Sequence, residues 1–474
     1  MPWAGRHLPP ALSKEKMIGL PATLAWYVFL FLMLWGFQRL TRCFSRLTIF
    51  SLFIAFLVLR HGITVPFDHT VNHWFAGIDL SPQAFQRYYI SLVLMWLCLL
   101  AGVWLARAYL GRAQVDPEAF RLEMSRKPLP AGVNAWFLPI LVLGVVLVAA
   151  FELRFDTSLN QLLSGNFTAA QYREMRDVYG QATHYSLGLG YRLASIVRFG
   201  LLPMFIYTLY YLSGRGIFYK ILFACALSLG LFLGLISGQK SPSVFLVIGL
   251  IIAIYYRRGN LQLKLTNWRL LVAVGVAWLA LLPFLYHLQY PGTEYAWLLR
   301  STTYRLTSEY DRSLQLYFQI YPDIQPHLHG QSSSLIDALL GIKMPQEDLP
   351  ERFIPTYYLG PDYLNTWNAA YLGVAWADFG YAGVVLESLL VGALLQAYAY
   401  WFSRTRKTAL VMGTQVALIM AATKLSEVAL TASLLSFGLL NCFLVFLCVQ
   451  ALRRRKRTCP NPPGIEHANP SSCT

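Results

Sequence analysis

Apolar stretches of about twenty residues, the length a bilayer core demands, recur along this chain between polar gaps that are mostly short. They predict helices near 17–37, 47–66, 89–109, 135–152, 190–212, 219–237, 242–256, 270–289, 367–401, 409–425 and 431–450. In lipid every backbone N–H and C=O must be satisfied within the protein, so only helices or a closed barrel can span. The period-two alternation that a barrel needs is absent. The expected fold is all-α: a polytopic integral membrane helical bundle of about 11 transmembrane helices. Residues 17–450 are expected to form one transmembrane domain. Residues 1–16 read as a disordered lead, or an overhang ahead of a start at Met17, and 451–474 as a basic tail.

Two gaps are far longer than the others, 153–190 and 290–365. The later one carries nine carboxylates against five Lys or Arg, with Pro at 291, 322, 326, 345, 350, 355 and 361, and is large enough to hold structure of its own. Charge then orients the bundle. Segments 38–46, 107–134, 214–220, 257–269, 404–407 and 451–474 together hold 22 Lys and Arg against 4 Asp and Glu. Because Lys and Arg near span ends bias a gap toward the cytoplasm, these alternate gaps are expected inside and both long loops outside. The N-terminus then lies outside, and the tail with Arg453, Arg454, Arg455, Lys456 and Arg457 lies inside. The net charge of +16 is thus a topology signal in a chain that is 56% hydrophobic and 13% charged. Nucleic-acid binding is not expected.

Several chemistries are set aside. Cys43, Cys98, Cys225, Cys442, Cys448, Cys459 and Cys473 fall in spans or on the inner side, so no disulfide is expected. No Cys/His grouping has metal-ligand spacing, and His327 and His329, two apart in a loop, read as structural. The inner gaps are too short for a nucleotide-binding module, and neither a Walker motif nor G-x-G-x-x-G occurs in them. No internal repeat is visible, which weighs against a carrier. Tyr88, Tyr89, Tyr255, Tyr256, Tyr357, Tyr358, Trp367 and Trp401 gather at span ends and read as interfacial anchors.

What remains is a set of cations at the outer boundary. Arg60 ends the second span, Arg192 and Arg198 lie in the outer part of the fifth, and Lys240 sits in the short turn Ser237-Gly-Gln-Lys-Ser-Pro242. A charge at the bilayer centre costs about 2.5–3.5 kcal/mol on insertion scales, so such residues are kept for a partner or a function. Arg192 can snorkel to the interface, whereas Arg198 lies two turns deeper. In the first long loop Arg173 and Arg176 share a helical face. In the second, Trp297 to Arg312 reads as an amphipathic helix that carries Arg300 and sets Arg305, Glu309 and Arg312 on one stripe. Intrahelical ion pairs account for that spacing as well as a site does. Asp378 lies in an apolar run flanked by Gly373, Gly380 and Gly383, and is either a base or the buried partner of Arg198 or Lys240. Lys424 and Glu427, at the outer turn between the last two spans, read as a structural pair.

In the order of these features the chain resembles the O-antigen and oligosaccharide repeat-unit polymerases of bacteria. The shared features are many spans, two outer loops with the larger late in the chain, the Arg-rich first loop (Arg173, Arg176), the turn Gly238-Gln-Lys240, and the acidic-Phe-Gly pattern Asp378-Phe-Gly-Tyr-Ala-Gly383. Relatives often carry Glu at the acidic position and Arg where Lys240 stands, and the lysine loses the bidentate fork. The resemblance implies a metal-independent membrane glycosyltransferase of GT-C-like architecture in the bacterial inner membrane, with no cofactor. Its substrates would be undecaprenyl-pyrophosphate-linked glycans, with membrane lipids and, optionally, a polysaccharide chain-length regulator as partners. On that implication Arg173, Arg176, Arg192, Arg198, Lys240, Arg300 and Arg305 would grip the departing pyrophosphate, and Glu309 or Asp378 would take the acceptor's proton. An O-antigen ligase using His327 or His329, and a lipid-linked oligosaccharide flippase, are the rival readings.

Overall fold

The computed structural model describes residues 20–63, 65, 80–125, 131, 196–236, 240–262, 294, 309–332, 348–360 and 367–458. These residues are mostly helical and contain no β-strand beyond an isolated bridge between Arg46 and Gln262. In chain order the helices are α1 (Leu20–Thr41), α2 (Ile49–His61), α3 (Pro82–Leu110), α4 (Pro117–Ser125), a π-turn (Val197–Leu201) that runs into α5 (Leu202–Leu212), α6 (Ile217–Ile236) and α7 (Lys240–Arg257). They continue with α8 (Glu309–Ile320), α9 (Pro350–Leu359), α10 (Tyr371–Arg404), α11 (Ala409–Thr423), α12 (Leu430–Leu435) and α13 (Asn441–Thr458).

Among the described residues four helices are long and apolar enough to cross a membrane: Pro21–Thr41, Pro82–Leu110, Tyr371–Arg404 and Ala409–Ser426. Four shorter apolar helices accompany them, Ile49–His61, Ile217–Leu233, Ser243–Arg257 and Asn441–Ala451. This composition is that of a helical membrane protein. The expected count of eleven spans is not reached among the described residues, and the spans expected at 135–152 and 270–289 lie outside them.

Burial follows from sequence in a simple way. Helix α11 is apolar on every side, and every one of its residues is buried, as a helix without a polar face must be. Around it pack α5, α2, α7 and α13. Among the described residues the α3–α10 contact is the most extensive, and it depends on two glycines. A Cβ on Gly102 would collide with the main chain at Leu389, and one on Gly392 with the main chain at Leu99. Small residues at such points let two backbones approach closely, the usual way membrane helices gain contact.

The alternate gaps of the sequence do gather at opposite ends. At one end Arg107 donates to the Leu40 carbonyl at 2.7 Å, Arg46 to the Val115 carbonyl at 2.6 Å, and the Leu47 N–H to the Leu261 carbonyl at 2.8 Å. Phe120 meets both Tyr256 and Phe402 there. The basic segments around 38–46, 107–125, 257–262 and 404–407 thus form one end of the bundle. The end of α2, the start of α3, α8 and the turn after α11 form the other.

Three expectations change. The last span, expected as one helix over 431–450, is two helices broken at 436–440. Gly438 sits there at φ +90, and a Cβ on it would meet the Gly200 Cα at 2.6 Å. A hydropathy window registers apolar residues and is blind to such a break. The stretch 309–320, expected partly as helix and partly as loop, is helix throughout, and its Leu314, Leu316, Tyr317, Phe318 and Ile320 are fully buried. The belt reading fails for Tyr88, Tyr255 and Tyr256, which are buried and donate to Asp311, the Gln262 carbonyl and the Leu47 carbonyl respectively. A phenol with a hydrogen-bond acceptor in reach fits inside a bundle as well as at its rim.

Candidate functional site

The end of the bundle away from the basic segments is built on charge. Helix α2 ends in two polar residues, Arg60 and His61, both fully buried. Helix α11 ends in a 3-10 turn, Lys424–Ser426, followed by Glu427. The Arg60 guanidinium donates to Glu427 Oε1 at 2.5 Å and to Ser426 Oγ at 2.6 Å, while Lys424 Nζ donates to Glu427 Oε2 at 2.6 Å. Two cations therefore share one carboxylate, one on each oxygen. Such charge-assisted bonds are the strong ones, and burial makes them obligatory, because an unpaired ion there would lose its hydration for nothing.

Beside this triad lies a second cluster. His61 Nδ1 is 2.9 Å from Asp311 Oδ1, its Nε2 is 3.2 Å from the Ser426 carbonyl, and the Tyr88 hydroxyl donates to Asp311 Oδ1 at 2.6 Å. Both ring nitrogens face oxygens, so the contacts are satisfied when the ring donates from each. Asp311 Oδ2 is buried and has no hydrogen-bond partner among the described residues. The cluster ties α2, α3, α8 and the turn after α11 into one frame.

Arg198 approaches the triad from the π-turn. It is buried, donates to the Leu233 carbonyl, and lies 5.3 Å from the centre of the Phe199 ring. Single π-turns inside helices are frequent at functional sites because they redirect one side chain without breaking the helix. Arg198 and Lys424 border one apolar cleft of about 50 Å³, walled by Leu202, Ile206, Phe245 and Leu246. The Lys424 ammonium also sits 3.9 Å from the centre of the Phe245 ring, a cation–π placement that favours a desolvated lysine. Among the described residues the charged groups that line the cleft are the two cations Arg198 and Lys424, the second of which is paired with Glu427.

The acidic-Phe-Gly stretch does something different. Gly380 has φ +57 and ψ −139, which breaks α10 immediately after Asp378 and Phe379. The break frees the carbonyls of Ala377 and Asp378, and the segment before it supplies donors: the Leu328 N–H to the first and the His329 N–H to the second, both at 2.9 Å. Trp376 Nε1 donates to the Tyr321 carbonyl at 3.0 Å. The Asp378 carboxylate is buried and accepts from Ser332, from Oγ at 2.6 Å and from N at 3.3 Å. Backbone groups freed inside a membrane protein must find partners of this kind. His327 takes part in the same anchor, packed edge-on to Trp376 with Nδ1 3.3 Å from the Ala377 carbonyl.

Of the residues singled out in the sequence, Arg60, Arg198, Lys424 and Glu427 are brought to one place. Asp378 lies elsewhere, on Ser332, and its ligands among the described residues do not include Arg198. Lys240 and Glu309 begin α7 and α8, and their side chains lie outside the described set. Arg173, Arg176, Arg192, Arg300 and Arg305 lie outside the described residues. His61, Asp311, Ser426 and Ser332 escaped notice in the sequence, and Tyr88 was read there only as an interfacial anchor. The adjacent Arg60-His61 at the end of an apolar run was the one signal of that cluster. Comparison with protein-family models, curated proteins and solved structures finds no match.

Proposed function

We propose that the protein polymerises undecaprenyl-pyrophosphate-linked oligosaccharide repeat units into a bacterial surface polysaccharide, whether O-antigen, capsule or exopolysaccharide, on the outer face of the inner membrane. With this reading go an eleven-span bundle of GT-C-like architecture, an outside N-terminus and a cytoplasmic C-terminus. The observation that carries it is the pair of cations, Arg198 and Lys424, bordering one apolar cleft at the end of the bundle away from the basic segments. Apolar walls suit a polyprenyl chain, and cations at its head suit a diphosphate.

In the reaction, an acceptor sugar hydroxyl attacks the anomeric carbon of the growing glycan. A C–O bond forms there, the bond from that carbon to the pyrophosphate oxygen breaks, and the electron pair leaves with the lipid diphosphate. Preorganised cations stabilise that leaving charge, each by roughly 3–4 kcal/mol in a dry site. A carboxylate accepts the hydroxyl proton, a contribution of about 10²–10⁴-fold. Arg198, with Arg173, Arg176, Arg192, Lys240, Arg300 and Arg305 from the sequence, takes the first role. Glu309 and Asp378 compete for the second.

The test uses the full chain in lipid nanodiscs with purified polyprenyl-pyrophosphate repeat units, read as a glycan ladder on a gel. The wild type yields a ladder without added metal. Arg198→Ala and Arg305→Ala lower the rate by about 10²–10³-fold, and whichever of Glu309→Gln and Asp378→Asn stops extension identifies the base. Repeats moved between leaflets with no ladder would make the protein a flippase, and transfer to a non-repeat acceptor alone would make it a ligase.

A further inference from the structure

The opposite end of the bundle holds a larger concavity that the proposed reaction does not use. It encloses about 220 Å³ and is lined by Arg39, Arg42, Arg46, Arg107 and Arg112. These five guanidiniums come from the end of α1, the turn after it, and the end of α3 and its following segment. Among the described residues no Asp or Glu lines the cavity, and its other polar side chains, such as Gln396 and Gln415, are neutral. A second, more open hollow of about 670 Å³ shares Arg39, Arg42 and Arg46, and adds Trp35 and Gln262.

Two of the five arginines have structural employment. Arg46 and Arg107 donate to the Val115 and Leu40 carbonyls. Burial and the neighbouring Arg42 cation both push the Arg46 guanidinium below its usual range, opposed by Asp116. Arg39, Arg42 and Arg112 are exposed into the hollow, and Arg39 lies 4.7 Å from the centre of the Trp35 ring. Arg42 holds this position with φ +57, a conformation uncommon for a residue with a Cβ. Like charges crowded in a cavity whose described lining holds no carboxylate favour an anion among them, and guanidinium forks match phosphate oxygens.

The apolar surroundings distinguish between sources of phosphate. Trp35 on α1 lines the more open hollow, and exposed apolar residues continue along the same two candidate spans within about two turns of Arg39 and Arg107, Phe31 and Leu32 on α1 and Trp104 and Leu105 on α3. An acyl chain lying on that face would bring its headgroup to the arginines. We propose that this cavity is a binding site for the phosphate of an anionic phospholipid, held between the ends of α1 and α3 with the acyl chains against the exposed α1–α3 face. Basic pockets between transmembrane helices on the cytoplasmic side have this affinity as a class.

The experiment is native mass spectrometry of the full chain in detergent, titrated with phosphatidylglycerol or with phosphatidylcholine, alongside thermal unfolding with inorganic phosphate. Retention of phosphatidylglycerol over phosphatidylcholine is expected. The double variant Arg39→Gln/Arg112→Gln, at exposed positions, is expected to weaken it by about 25-fold, taking about fivefold for each arginine near the headgroup. Arg39→Lys/Arg112→Lys should keep most of it. The unaltered protein gives an independent reading, since retention should fall as salt rises. Equal retention of the two lipids, an unchanged double variant, or salt-independent retention would overturn the proposal. Stabilisation by inorganic phosphate equal to that by phosphatidylglycerol would overturn the lipid as the source and leave a soluble-anion site.

Discussion

Buried cations are satisfied differently at the turn after α11 and at the basic segments. At the turn after α11 the guanidinium of Arg60 and the ammonium of Lys424 are buried and reach a carboxylate, Glu427, at 2.5 and 2.6 Å. At the basic end Lys407 is equally buried, yet it donates to the carbonyls of Phe402 and Thr405 at 2.5 and 2.6 Å, with Glu123 acting on it only through its field. Arg107 uses the carbonyl of Leu40 in the last turn of α1 in the same way. The last carbonyls of a helix lack intrahelical donors and carry partial negative charge. A cation at such a helix end finds acceptors already in place, as Arg198 also does at the Leu233 carbonyl in the last turn of α6, whereas Arg60 and Lys424 at the turn after α11 are matched by a counter-charge. The contrast is therefore between cations that meet helix-end carbonyls and cations that share a carboxylate.

The strongest way to break this comparison is Glu427→Gln. It removes the carboxylate charge that Arg60 and Lys424 share, a loss expected to cost about 3–5 kcal/mol, measured by denaturant unfolding in detergent. A loss under about 1 kcal/mol would mean that the triad is hydrated rather than sealed.

Next comes a pH effect at the basic end. Burial lowers the Lys407 ammonium from its ordinary 10.5 to about 8, against the opposing field of Glu123. Between those values the unfolded chain holds the proton that the folded chain has shed, so folding stability rises with pH, by up to about 1.4 kcal/mol per pH unit. Below about pH 8 both states are protonated and the slope vanishes. Lys407→Met should flatten that rise, as read from unfolding midpoints across the window. An identical slope in the variant would place the titration elsewhere.

A smaller effect sharpens the other half of the comparison, at the end away from the basic segments. Tyr88→Phe removes a hydroxyl donor from the buried Asp311 carboxylate and should cost about 1.5–3 kcal/mol, the range for a hydrogen bond to a charged group. The smallest effect belongs to Arg39→Gln. Its side chain is exposed at the basic rim, and stability should change by no more than about 0.5 kcal/mol. A larger fall would show that this arginine supports the fold as well as lining the cavity.

How far the chain could be read in advance is clearest residue by residue. The apolar runs located α1, α3, α6, α7, α10 and α11 within a few residues, apart from the start of α3, because burial or lipid contact demands side chains that hydropathy sees directly. The structural pairing of Lys424 with Glu427 was legible from three-residue spacing at a span end. Arg60 as the third member was not, since 367 positions separate it from Glu427. Neither was the break of the last span at Gly438, which answers to Gly200 in a distant turn. Tyr88 and Tyr256 were misplaced to the rim because their positions at span ends carry no information about an acceptor across the bundle.

Local character of the chain, then, was enough to determine a helical, membrane-compatible bundle, which gaps would meet at which end, and where cations would need partners. Those are properties of short segments and their cost of transfer, and they hold in any packing. Tertiary structure alone decided which partner each charge took, that α8 would be buried, that Asp378 would fasten a loop through Ser332, and that five arginines would enclose a hollow. Each of these depends on the approach of segments far apart in sequence, and the energy of such an approach exists only once the helices are packed.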